Sequence, residues 1–143
     1  MGAVAAVPPA TVIFACVHNA GRSQMAAAWF NHLVDPSRAR ALSAGTAPAA
    51  HVHPEVVTVM REVDIDLAHV TPTFLSEPLA RQATHLVTMG CGEACPVVPG
   101  ATRDDWPLRD PKGQTVDDVR LLRDEIRARV AALLAERGWS KAQ

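Results

Sequence analysis

Residues 11–34 constrain the fold more than any other part of the chain. The apolar run Thr11-Val-Ile-Phe-Ala15 meets a short loop, Cys16-Val-His-Asn-Ala-Gly-Arg22-Ser23, which leads straight into the helical stretch Gln24-Met-Ala-Ala-Ala-Trp-Phe-Asn-His-Leu-Val34. A continuous β-branched run is what a strand buried on both faces requires, as in a parallel sheet. Asn19 and Gly21 tolerate left-handed backbone, which a loop folding its N–H groups inward needs. Ser23 stands where a helix would be capped, and Met25, Trp29 and Leu33 follow at a spacing of four on one face.

The same loop gathers what holds a tetrahedral oxyanion: successive backbone N–H groups, the positive end of a helix and the fixed fork of Arg22. A helix N-terminus and a neighbouring arginine favour the thiolate form of a cysteine, so Cys16 is the candidate nucleophile. Val17, His18, Asn19, Ala20, Gly21, Arg22 and Ser23 form the candidate oxyanion-binding set. The bare spacing of cysteine to arginine is a weak signal in an arginine-rich chain. The competing reading is a buried structural cysteine ahead of an ordinary strand-to-helix turn.

Length and composition allow one domain, residues 1–143, with residues 1–9 as a loose N-terminal extension. At 143 residues and 48% hydrophobic content the chain can bury one sizeable core. A net charge of −1 and the lack of a basic run argue against nucleic acid or an anionic membrane as partner. The opening MGAVAAVPPA has no basic n-region and is broken by Pro8 and Pro9, so neither a signal peptide nor a spanning helix is expected. The expected compartment is the cytoplasm, where three cysteines do not make a structural disulfide framework unless they are catalytic or redox-sensing.

Beyond residue 34 the elements alternate, which predicts an α/β fold with a parallel sheet covered by helices. Asp35-Pro36-Ser37 breaks the chain, and Arg40–Ala44 forms a second strand ending at Gly45. Pro54 opens a helix to Val63 with Val56, Val57, Met60 and Val63 on one side, and Thr73–Ala83 is a weaker helical stretch. His85–Met89 is the third strand. Residues 90–115 have no period, and long irregular stretches in small domains are often functional. A last helix runs from Val116 to Arg137, with Val119, Leu122, Ile126, Val130 and Leu133 spaced by three and four and with charges that complement the helix dipole.

The irregular stretch opens with Met89-Gly-Cys91-Gly-Glu-Ala-Cys95-Pro96, directly beyond a strand end, where ligands bind in open parallel sheets. If this is one helical turn, the two Cα atoms lie about 6 Å apart, within the ~4.4–6.8 Å that a disulfide spans. Zinc held by Cys91, Cys95 and His85 is the competing reading, but no second ligand pair is visible. Two inert buried thiols are another. Asp110, followed by Pro111, is a candidate acid, because a carboxyl beside a bound oxyanion holds its proton more tightly and so suits protonation of a leaving oxygen. An Asp-Pro pair is equally an ordinary turn opener. Asp104 and Asp105 read as solvated loop charges and Trp106 as core. His18 reads as a loop residue, and His32, His51, His53, His69 and His85 as surface or core.

Taken together, CVHNAGRSQMA, SAGTAP, VTMGCGEACP and DW-x-L-x-DP resemble, in this order and over most of the chain, the arsenate reductases built on the low-molecular-weight tyrosine phosphatase fold. The resemblance implies a four-stranded parallel sheet flanked by helices, and a thiol relay that reduces arsenate to arsenite. It implies Cys16 as nucleophile, Asn19 shaping the loop, Arg22 holding the oxyanion, Ser23 hydrogen-bonding the Cys16 thiolate and Asp110 as acid. Cys91 and Cys95 would end as a disulfide reset by thioredoxin, and on spacing alone these two can exchange roles. Arsenate would be the substrate and phosphate a competing anion, with no bound cofactor, no metal and a monomeric chain. Some relatives separate the relay cysteines by six residues rather than three, and many carry a second cysteine where this loop has Asn19-Ala20-Gly21. Others hold potassium with a carboxylate where this chain has Ala27. The alternative is a phosphatase acting on phosphotyrosine or a small ester through Cys16, Arg22 and Asp110. Against it stand the extra cysteine pair and the complete absence of tyrosine.

Overall fold

A computed structural model describes residues 8–90 and 95–141. Four strands, β1 (Ala10–Cys16), β2 (Ala39–Gly45), β3 (His85–Thr88) and β4 (Thr102–Asp105), form one sheet in the order β2-β1-β3-β4, and every pairing is parallel. The helices are α1 (Arg22–Leu33), α2 (Pro54–Arg61), α3 (Glu77–Ala80) and α4 (Val116–Arg137). The α/β architecture expected from the alternating elements is therefore present. The expected extension over residues 1–9 falls mostly outside the described residues.

β1 is buried at every position because it lies inside the sheet and is covered on both faces. Its side chains alternate between two cores, as the two-residue strand period requires. Val12, Phe14 and Cys16 join the larger core with α1, α2 and α4, while Ile13 and Ala15 join a smaller one with Leu75, Ala80, Leu86 and Cys95. Phe14 anchors the larger core between Phe30 and Trp106, with ring centroids 5.9 and 5.5 Å away.

Three expectations are corrected. β4 lies inside the stretch read as irregular. Its sequence, Thr-Arg-Asp-Asp, is exposed throughout, so an edge strand carries no hydrophobic alternation to announce it. The helix expected over Thr73–Ala83 shrinks to α3, because residues 73–75 bond alongside Gly45 instead: Gly45 N–H donates to Thr73 O at 2.8 Å, and Leu75 N–H donates to Gly45 O at 2.8 Å. On α4 it is Leu134 that is buried, while Leu133 is only partly covered. The ends of α4 are as the residues ask: Thr115 accepts from Asp118 N–H at 3.1 Å, and Gly138 closes the helix at φ 72°.

Just past α2, the carboxylate of Glu62 accepts from Arg120 Nε at 2.9 Å and Nη2 at 2.8 Å, and from Arg123 Nη1 at 2.8 Å. Arg123 is itself buried and also donates to Val59 O at 2.8 Å, tying α2 to α4. The Arg120 hydrogen bonds, opposed by partial burial and assisted by Arg123, hold the Glu62 carboxyl at about 2 against an ordinary 4.5. A lowered folded-state value means that the unfolded chain takes up the proton first, so this stabilisation is complete above about pH 4.5 and fades as pH falls toward 2. Glu62→Gln is therefore expected to lower the urea midpoint at pH 7 and to converge with the parent near pH 2. An offset that stays constant across that range would contradict it.

Candidate active site

The loop between β1 and α1 is shaped from outside. Residues 46–53 run along it and donate to its carbonyls: Thr46 N–H to Cys16 O at 3.1 Å, Ala47 to Val17 O at 2.8 Å, Ala49 to His18 O at 2.9 Å and His53 to Ala20 O at 2.9 Å. In a trans peptide the C=O and the following N–H point in opposite directions. Turning those four carbonyls outward therefore turns the N–H groups of Val17, His18, Asn19 and Gly21 inward, making an anion-binding nest. Gly45 makes the approach possible, since a Cβ there would lie 2.5 Å from Val17 O and 2.9 Å from Asn19 N.

Asn19 fixes the centre of the loop. It is fully buried at φ 50°, in the left-handed region that asparagine tolerates. Its Oδ1 accepts from the backbone N–H of Thr73 at 2.9 Å and from Gln24 Nε2 at 3.0 Å. A backbone amide can only donate, so the Asn19 amide orientation is determined, and Nδ2 must face Ser23 Oγ at 2.7 Å. Ser23 thus accepts from Asn19 and has its single proton left for the Cys16 sulfur, 2.8 Å away. Asn19 N–H also points at that sulfur from 3.3 Å. Two donors converge on a sulfur that must carry negative charge to attack.

This arrangement corrects one expectation for Ser23. The residue preceding α1 is Gly21, with no side-chain cap, and Ser23 sits inside the first turn. From within the helix it cannot take the cap position, and its hydroxyl faces the sulfur instead.

Arg22 lies behind the nest, 7% exposed. Its Nη1 donates to Leu108 O at 3.2 Å, and Nη2 stands 3.7 Å from Asp110 Oδ2. Gly90, at φ 99°, lies directly against the guanidinium: a Cβ there would overlap Nη1 and come within 3.3 Å of Cζ. Asp110 opens a turn beside Arg22. One oxygen accepts from Lys112 N–H at 3.0 Å, as a turn opener does, while the other faces Arg22. Trp106 is buried as expected. Asp104 and Asp105 are more than solvated charges: Asp104 accepts from Trp106 Nε1 at 3.1 Å and Asp105 from Thr88 Oγ1 at 2.8 Å.

Of the three cysteines, Cys16 is free and buried, and Cys95 is disulfide-bonded and 3% exposed. Cys91 lies outside the described residues. Cys95 packs in the smaller core, on the other face of the sheet from Cys16. The segment leading to it nonetheless starts at the cradle, where Gly90 touches Arg22. His85 opens β3 at the opposite end of that strand, with its ring 5.0 Å from Trp139. Among the described residues no cluster of His, Cys, Asp and Glu fits a metal ion.

A thiol under two donors, set in a nest backed by arginine and faced by an Asp-Pro turn, agrees with what the sequence comparisons return. The family model of low molecular weight phosphotyrosine protein phosphatases matches residues 11–141. The chain belongs to this family. Within it, the chain falls with the arsenate reductases. It is 37% identical over 124 residues to arsenate reductase 1 of Bacillus cereus, covering 84% of this chain and 90% of that one. Among solved structures it superposes at a TM-score of 0.78 and 34% identity on a thioredoxin-dependent arsenate reductase of Corynebacterium glutamicum. That match covers 92% of this chain but spans 63% of the longer one. It superposes at 0.75 and 30% identity on an arsenate reductase of Archaeoglobus fulgidus, covering 87% and 98%. The four-stranded parallel sheet with flanking helices is thus the family fold.

Reasoning from the sequence missed Gly45, Gly90, Gln24 and Thr73 as builders of the site. Their partners are distant in sequence or lie in backbone, so no local period or charge pattern marks them. Gly45 and Gly90 do fall inside the SAGTAP and VTMGCGEACP segments that carry the resemblance.

Proposed function

We propose that this chain reduces arsenate to arsenite through a three-cysteine relay and that thioredoxin restores it. The observation carrying this reading is the paired state of the thiols: Cys16 is free at the anion nest while Cys95 is held in a disulfide, on a segment that leaves the nest at Gly90. A phosphatase has no use for that second, oxidisable site.

The steps follow from thiol chemistry. Arsenate enters the nest and is held by the inward N–H groups and the Arg22 fork. The Cys16 thiolate forms a bond to As(V), and Asp110 gives its proton to the oxygen that departs as water. The Cys91 thiolate then attacks the Cys16 sulfur; the S–As bond breaks with its electron pair going to arsenic, which leaves as As(III). The Cys16–Cys91 disulfide is exchanged by the Cys95 thiolate, freeing Cys16 and leaving Cys91–Cys95 oxidised. A dithiol donor takes over that disulfide. Phosphate fits the same nest but accepts no electrons, so it acts as a competitor. All three thiols belong to one chain, so a monomer suffices.

A groove of about 620 Å³ beside Cys95 favours a protein donor over a small thiol. Phe74, Leu75, Ala80, Pro96, Val97 and Val98 line it, and Phe74 and Val97 are 57% and 80% exposed. Such exposed apolar surface next to a redox centre suits docking by another protein. No described helix is long and apolar enough to cross a membrane, and thioredoxin coupling requires a reducing compartment such as the cytoplasm.

The test is arsenate-dependent NADPH oxidation with thioredoxin and its reductase, beside hydrolysis of an aryl phosphate. Sustained oxidation with little hydrolysis is expected; hydrolysis without oxidation would make the chain a phosphatase. Ser23→Ala removes a hydrogen bond to a charged sulfur, worth ~1.5–3 kcal/mol. It is expected to slow the single-turnover step about 10- to 100-fold while leaving phosphate inhibition nearly unchanged. An unaltered rate would show that Ser23 does not serve the attacking sulfur.

A further inference from the structure

The turn carrying Asp110 is exposed at every residue from Arg109 to Thr115 except Pro111, which is buried. What covers that proline is the phosphate loop. A Cβ added to Gly21 would overlap Cγ of Pro111, lie 3.2 Å from its Cδ and come within 3.5 Å of His53 Cδ2. The pyrrolidine ring therefore fills the space that the missing side chain of Gly21 leaves open.

The other described links between this turn and the cradle run through Arg22, by Leu108 O at 3.2 Å and Asp110 Oδ2 at 3.7 Å. Arg22 is also the group that must turn its fork to an entering oxyanion, and each donor it gives to the anion is withdrawn from the turn. Within the turn, Lys112 N–H bonds Asp110 Oδ1 at 3.0 Å and Gln114 N–H bonds Pro111 O at 3.0 Å. Those bonds shape the turn but do not attach it to the nest. Trp106 and Leu108 root the start of this segment in the larger core, and among the described contacts of the turn itself the ring seated on Gly21 is one that anion binding leaves intact.

We propose that Gly21 is a positioning residue for the acid: its bare Cα is the seat for Pro111, and that seat keeps the Asp110 carboxyl within reach of the reacting oxygen once Arg22 has engaged the substrate. This rests on the functional reading above and deepens it.

The test is a set of variants assayed for arsenite formation by fully reduced enzyme in single turnover, with phosphate binding measured separately. A general acid contributes about 10²–10⁴-fold, so Gly21→Ala, which lifts the ring from its seat, is expected to lower the rate at least about tenfold. Phosphate affinity should change by less than about threefold. Pro111→Ala with Gly21 intact removes the ring itself and is expected to lower the rate by a similar factor, and combining it with Gly21→Ala should add little, because both act on the one seat. In an Asp110→Asn background, Gly21→Ala should have little further effect, because the group it displaces is already disabled. The proposal is overturned if Pro111→Ala with Gly21 intact matches the parent, if phosphate binding falls in step with the rate, or if Gly21→Ala matches the parent. A parent protein that forms no arsenite would instead overturn the functional reading itself.

Discussion

Cys95→Ser, reduced beforehand and supplied with excess arsenate, is expected to release about one arsenite per molecule and then stop, where the parent protein keeps cycling with thioredoxin. The first steps need only Cys16 and Cys91. Without the third thiol, the Cys16–Cys91 disulfide has no internal resolver, and Cys16, 2% exposed beneath its loop, is poorly placed for attack by an external dithiol. Arsenite formed per molecule, followed over time, is the measurement. Continued cycling with thioredoxin as sole reductant would remove Cys95 from the relay. Serine at a position 3% exposed also leaves a hydroxyl to satisfy, at about 1–3 kcal/mol. Thermal unfolding of the variant separates that effect from the loss of exchange chemistry, since a folded protein giving one turnover is not explained by instability.

Arg22→Lys is expected to lower kcat/KM for arsenate by about 10²–10³-fold, the range seen when a charge-stabilising donor is lost from an enzyme site. The guanidinium here is a planar fork that reaches Leu108 O with one arm and faces Asp110 with the other. It lies flat enough for Gly90 to pack against it. A lysine supplies a single ammonium on a flexible stem, so it cannot both support the Leu108 carbonyl and present two parallel donors to an oxyanion. Steady-state kinetics with phosphate binding alongside would show weaker anion capture and slower turnover together. A lysine variant within about threefold of the parent would mean that the nest alone binds the anion and that the fork is dispensable.

Much of this site is legible in the sequence because its parts are local. Cys16, Asn19, Arg22 and Ser23 lie within one loop and one helical turn, so their side chains must share a small volume wherever that turn sits. β1 and α4 are equally legible, the first from an unbroken apolar run, the second from spacings of three and four over many turns. β4 is not, since Thr102–Asp105 gains its strand geometry from pairing with β3 and buries nothing. Residues 73–75 are misread as helix for a related reason: their backbone bonds to Gly45, and no propensity scale contains that partner. Ser23 is read as a cap because serine at a helix start usually is one. The helix instead begins one residue earlier, at Arg22, so Ser23 lies inside the first turn with its hydroxyl 2.8 Å from the Cys16 sulfur. The 46–53 strap and the Gly21–Pro111 contact depend on where distant segments meet, which only the folded chain determines.

The central claim is that electrons pass from this chain's sulfurs to arsenic and that the spent sulfurs end joined to each other. It is tested most directly by mixing fully reduced parent protein with arsenate in the absence of any reductant, then counting arsenite released and thiols lost and mapping the disulfide by peptide mass spectrometry. The expected result is about one arsenite for every two thiols lost, with Cys91 and Cys95 linked and Cys16 still free. Release of arsenite with Cys16 blocked, or recovery of all three thiols unchanged after incubation, would contradict the account.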